Sequence, residues 1–193
     1  MTPALDRRRI RPNRLSEEHF QHAGSAHPLR HGIGTERTLV ATVAVGQDKA
    51  TAQEVIAKVR EAASTLSKTG DLAQFNQKQG PWVWKDTYIF VEDCDKKVVA
   101  AHPFTPEQIG QDLGSIKNTS GKNIYPDPAA LCDGAKKPSG VWIEYRWTKQ
   151  GEKEDSRKIS YYLSAKGTPY VVAAGVYDDK ASIAELSKLT SGR

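Results

Sequence analysis

The sequence predicts an α+β domain: a five-stranded antiparallel sheet with a long N-terminal helix on one face, a loop-rich cover on the other, and a C-terminal helix. Three observations predict it. Apolar residues recur at helical spacing from Ala50 onward. Five runs of strand-type residues follow, joined within each group by short polar turns, which forces antiparallel pairing. Between the second and third runs lie about 38 residues, enough chain to cross one face of the sheet.

The elements follow in order. Val55, Ile56, Val59, Ala62, Ala63 and Leu66 share one helical face, with Glu54, Lys58 and Glu61 on the others. Gly70 ends this helix. Asp71 caps a short second one that carries Leu72, Phe75 and Asn76 and stops near Gly80. The strands T-Y-I-F-V-E (87–92) and K-V-V-A-A-H (97–102) flank a polar turn, where Glu92, Asp93 and Asp95 read as solvated acids. Pro103 and Pro106 exclude a strand and permit a helical turn. N-T-S-G-K (118–122) is loop, and P-D-P-A-A-L-C-D-G-A (126–135) is a helix with Pro128 in its first turn. Three strands complete the sheet: V-W-I-E-Y-R-W (141–147), S-R-K-I-S-Y-Y-L (156–163) and P-Y-V-V-A-A-G-V-Y (169–177). Residues 179–190 form an amphipathic helix with Ile183, Leu186 and Leu189 on one face.

Of the 193 residues, 47–193 make one folded domain and 1–46 a leader. The leader is rich in Arg, His and Pro without a period, and reads as disordered. Its L-V-A-T-V-A-V-G stretch (39–46) also suits a signal-like segment behind a misassigned start. Seven arginines against four acids give the leader +3 of the total +5, so no basic face is obvious on the folded part and no nucleic-acid partner is expected. No apolar run approaches the roughly 18 residues of a membrane span. The chain ends just after its last predicted helix, which suggests a free-standing binding protein or the partner of a separate membrane receptor or kinase. Four of five histidines lie in the leader with no acid or cysteine cluster beside them, so no metal site is expected. Two cysteines, Cys94 and Cys132, form a bridge in an oxidising compartment and remain thiols in a reducing one.

No nucleophile elbow, P-loop or metalloprotease motif is present. His102 is the one histidine of the folded part and has no serine or cysteine nucleophile beside it, so neither enzyme activity nor a cofactor is expected. A pocket between the sheet and its long cover fits better. Tyr88, His102, Trp142, Tyr145, Arg146, Lys158 and Tyr161 are its candidate ligand-binding residues. Alternation places Lys158, Ser160 and Tyr162 on one face of their strand and Ile159, Tyr161 and Leu163 on the other. On the preceding strand, Trp142, Glu144 and Arg146 share one face; Val141, Ile143, Tyr145 and Trp147 share the other. The apolar face of each strand is expected on the long helix. Two readings of Lys158 stand: a surface lysine paired with Glu144, or a buried ammonium that keeps its charge only beside an anion. A ligand carboxylate would meet that need.

Several stretches together carry a resemblance. F-N-Q-K-Q-G-P-W-V-W-K-D-T-Y-I-F-V, A-A-H-P-F-T-P-E-Q-I-G-Q-D-L, G-V-W-I-E-Y-R-W, R-K-I-S-Y and V-V-A-A-G-V-Y, in this order over roughly 50–180, resemble a single Cache domain of the second type. The resemblance implies a PAS-like sheet and a periplasmic or otherwise extracytoplasmic sensor of short carboxylates of two to four carbons. It implies pocket roles for Tyr88, His102, Tyr145, Lys158 and Tyr161. Alternation sets Tyr145 and Tyr161 across the sheet from Trp142 and Lys158 unless a twist or bulge intervenes. The alternative is an interaction module with a filled pocket, dimerising through the helix at 50–68.

Overall fold

The computed structural model describes residues 48–191. The leader expected over 1–46 lies outside the described residues. Helix α1 (Ala52–Thr69) starts at Thr51, whose hydroxyl accepts the Glu54 amide while the Glu54 carboxylate accepts the Thr51 amide. This reciprocal cap satisfies two of the helix's free donors. Gly70, at φ 64°, ends the helix and returns its amide to the Leu66 carbonyl. A single 3-10 turn, Ala73–Asn76, follows in place of the second helix.

A hairpin that the sequence reading missed comes next: β1 (Val83–Trp84) and β2 (Thr87–Tyr88). Its turn holds Lys85 at φ 49°. Lys85 reaches Glu54 at 2.6 Å, and Asp86 accepts the Ala50 amide at 2.8 Å, so the hairpin fixes the chain where α1 begins. The expected first strand is therefore split, and β3 runs Phe90–Asp93. Glu92 and Asp93 are buried strand residues, not solvated turn acids. Asp93 closes the following turn by accepting the amides of Asp95 and Lys96.

Strand β4 (Val98–Ala101) pairs with β3 through a register shift: Val91 faces Ala101, but Glu92 faces Val99. The extra residue, Ala100, makes a bulge. Its effect is on parity. Val99 packs toward the cover and Ala101 toward α1, so His102 comes round to the cover side. Two 3-10 turns, Pro106–Gln108 and Leu113–Ser115, and helix α2 (Pro128–Ala135) form the cover. Asp127 caps α2 by accepting the Ala130 amide. Cys94, just past β3, is disulfide-bonded to Cys132 of α2, with Cα atoms 5.8 Å apart.

Strands β5 (Val141–Thr148), β6 (Asp155–Ser164) and β7 (Tyr170–Val176) complete a sheet ordered β4-β3-β7-β6-β5, antiparallel throughout. Helix α3 (Ile183–Ser191) follows. The last strand in sequence is thus the middle of the sheet. Val55, Val59 and Leu66 of α1 are fully buried against Ile159, Tyr161, Val172 and Ala174. Each such side chain contributes roughly 1.5–3 kcal/mol by leaving water. On the other face, Leu113, Ile116, Ile124 and Leu131 of the cover meet Phe90, Tyr145, Tyr162 and Ala173.

One expectation is reversed on β5. Its apolar face (Val141, Ile143, Tyr145, Trp147) packs under the cover, and Trp142 packs with α1. The register shows why: Trp142 stands opposite Tyr161, and Tyr145 opposite Lys158. Directly opposed residues project to the same face.

Candidate ligand-binding site

Three elements converge under the cover. The bulge delivers His102, β2 and β3 deliver Tyr88, Phe90 and Glu92, and the β5–β6 pair delivers Tyr145, Trp147 and Lys158. With Val99 and the cover's Gln108, Ile116, Ile124 and Tyr125 they line a narrow cavity of about 20 Å³. That is room for about one water molecule. A wider outer cleft of about 470 Å³ adjoins it, and Tyr88, Gln108 and Trp147 line both. The Trp147 indole donates to the Tyr88 hydroxyl at 3.0 Å across this boundary.

Lys158 is the centre of the cavity's electrostatics. It is 1% exposed, and among the described residues no acid lies within ion-pairing distance of it. Glu144, its expected surface partner, pairs with Arg157 at 2.7 Å. The Lys158 ammonium lies over the rings of Tyr88 (4.3 Å), Phe90 (5.2 Å) and Tyr177 (5.3 Å). Those ring faces attract a cation but do not replace its lost hydration. Burial pulls the Lys158 pKa down to about 7, opposed by the more distant carboxylate of Asp86. Space for this lysine comes from β7: a Cβ at Gly175 would stand 2.9 Å from Lys158 Cε.

His102 is neutral. Burial, and then the charge of Lys158, push its pKa down to about 3. Its Nδ1 accepts the amides of Phe104 (3.1 Å) and Thr105 (3.0 Å), which places the imidazole proton on Nε2. Tyr145 shares a hydrogen bond of 2.8 Å with Ser160. Tyr162 reaches the Tyr125 hydroxyl at 3.4 Å. The cavity therefore offers an ammonium, neutral N–H and O–H groups, and aromatic walls. It holds no ionised acid beside Lys158. Such a set is chemically suited to a small anion.

Of the seven residues named from sequence, Tyr88, His102, Tyr145 and Lys158 line this cavity. Trp142 and Tyr161 stack on each other at 5.1 Å in the core against α1, on the opposite face. Arg146 is exposed and donates to the Asp155 carbonyl. Sequence reasoning missed Phe90, Glu92, Gln108, Tyr125 and Trp147 as lining residues. Alternation from Tyr88 along 88, 90 and 92 was the available signal for the first two. Nothing in the sequence places the cover residues. Among the described residues no cluster of metal-ligating side chains occurs, and no helix is long and apolar enough to cross a membrane.

The chain is similar to known proteins. Over 120 residues the chain is 31% identical to the methyl-accepting chemotaxis protein McpP of Pseudomonas putida, a match that covers 62% of this chain but only 21% of that protein. A solved Cache chemosensory domain, described for its carboxylic acid recognition, superposes with a TM-score of 0.51 at 23% identity, over 66% of this chain and 93% of its own. Residues 82–182, just over half the chain, match the Cache domain. The chain belongs to the Cache domain family, a family of sensor domains and not of enzymes.

Proposed function

We propose that this domain senses a two- to four-carbon carboxylate in the cavity under its cover, outside the cytoplasm, and passes the signal through a separate partner. The buried, unpaired ammonium of Lys158 carries this reading. Without an anion it sits in an environment that strips its charge. A ligand carboxylate would restore that charge and accept hydrogen bonds from Lys158, from His102 Nε2 and from the Tyr145 hydroxyl. The Cys94–Cys132 disulfide supports the compartment, because such bonds persist where the surroundings are oxidising. The relatives' own roles agree: one is a chemotaxis receptor, and one recognises carboxylic acid.

One observation favours a second reading, that of an interaction module with a filled pocket. The cavity of about 20 Å³ is smaller than any such ligand. Binding therefore requires the cover to move outward. A thermal-shift titration of the whole chain with short mono- and dicarboxylates, amines and amino acids separates the two. A ligand specific to the folded state raises the midpoint with dose by mass action. The expected result is a shift with one class of short carboxylate, lost in Lys158→Met. No shift with any of them supports the filled pocket.

A further inference from the structure

A second buried ionisable group lines the same cavity, and nothing described so far uses it. Glu92 is 1% exposed, and among the described residues neither of its carboxyl oxygens has a hydrogen-bond partner. A carboxyl group left in this state costs the protein stability that an apolar side chain would not. The Tyr125 hydroxyl, near enough to oppose the effect of burial, lies outside hydrogen-bonding geometry. Burial pushes the Glu92 pKa up to about 8, so near neutrality it is a carboxylic acid with one donor and one acceptor.

Its position relative to Lys158 is the second observation. Tyr88, Phe90 and Glu92 alternate along one extended stretch and all line the cavity. The Lys158 ammonium lies over the first two rings, and Glu92 is one step further along. Lys158 and Glu92 make no ion pair, and neither is a cause of the other's altered titration. The cavity thus has a donor pole at the Lys158 ammonium and the neutral His102 imidazole, and a neutral acid pole at Glu92.

We infer that Glu92 is a specificity-determining residue that hydrogen-bonds an oxygen at the end of the ligand remote from its carboxylate. The ligand class is then a three- or four-carbon carboxylate with a terminal hydroxyl or carbonyl. This rests on the carboxylate reading above. A ligand ammonium at this pole would instead require Glu92 to ionise.

The test compares propanoate, 3-hydroxypropanoate and 2-hydroxypropanoate by calorimetry, on the unaltered chain, Glu92→Leu and Glu92→Gln. The unaltered protein should prefer 3-hydroxypropanoate over propanoate by about tenfold, the effect of one buried hydrogen bond. The 2-hydroxy isomer should gain nothing from Glu92. Glu92→Gln should keep the preference, since the amide also donates and accepts. Glu92→Leu should abolish it, while the empty protein melts higher because the orphaned carboxyl is gone. Equal preference in the unaltered chain and Glu92→Leu overturns the assignment and leaves carboxylate sensing intact. Loss of preference in Glu92→Gln together with tighter binding of 3-aminopropanoate than of 3-hydroxypropanoate by the unaltered chain overturns it in favour of an ammonium. Failure of all three acids to bind overturns both readings.

Discussion

At the scale of single residues, the proposed carboxylate site would make Lys158 couple ligand binding to pH. Burial holds its pKa near 7 in the empty domain, whereas a bound carboxylate would fix the proton on it. Affinity should therefore be flat from about pH 5.5 to 7. Above pH 7 it should fall by up to tenfold per unit, because each binding event must then take up a proton. Calorimetry in two buffers of different ionisation enthalpy would reveal that uptake at pH 8; a flat affinity across this window would place the carboxylate elsewhere. Stability follows the opposite logic. The Lys158 pKa is depressed in the folded state, so between about 7 and 10.5 the unfolded chain holds the proton that the folded chain has lost. The burial cost is absent above pH 10.5, grows as pH falls to 7, and is constant below. Lys158→Met should accordingly be more stable than the parent at pH 6, by on the order of a few kcal/mol, with the difference vanishing near pH 10.5. Paired melts at both pH values check this and distinguish lost binding from lost folding.

At the scale of elements, the cover and its disulfide set how the cavity opens. Cys94 follows the strand that carries Phe90 and Glu92, and Cys132 lies in α2, so the bond fastens the cover to the sheet beside the acid pole. Closing a loop with a separation of 38 residues restricts the unfolded chain by about 4 kcal/mol in the chain-entropy picture. Reduction, or Cys94→Ser with Cys132→Ser, should lower the denaturation free energy by a similar amount in urea titrations. An unchanged midpoint would mean that strain in the folded state offsets this restriction. Helix α1 was legible because its signals are local: a helical apolar stripe and a closing glycine. So were β5, β6 and β7, whose bounds lie within a residue or two of the expected ones. The site was legible only in part. Lys158, Tyr145, His102 and Tyr88 were named, but their common face depends on the opposition of Tyr145 to Lys158 and on the bulge at Ala100. Both are pairings between strands, which alternation within one strand does not reveal. The same blindness sent Trp142 to the cavity when it belongs under α1; the family resemblance sent Tyr161 there against its own strand's alternation, and it too packs under α1.

At the scale of the whole domain, the sheet separates two cores that differ in kind. The α1 side is closed packing of aliphatic and aromatic side chains. The cover side holds the narrow cavity, the outer cleft and the buried Lys158, His102 and Glu92. On the proposed carboxylate reading, a ligand entering past Trp147 and Tyr88 would push the cover away from the sheet before the two close on it. Once bound it would bridge them, and each local opening of the cover would then require its release. Hydrogen exchange reads this directly, because amides exchange through such openings at a free energy set by the local unit. Saturating carboxylate should slow exchange across 103–125, where the Gly110 and Leu113 amides bind the carbonyls of Val99 and Lys97. By mass action, a concentration one hundred times Kd slows those amides by about a hundredfold if every opening expels the ligand. Helix α1 contacts the sheet from the far side, so its sub-global exchange should not change. Protection confined to α1 and the α1-facing end of α2 would instead put the ligand at the basic surface cleft formed by Arg60, Lys68, Lys136 and Lys166, and would leave the buried lysine without its anion.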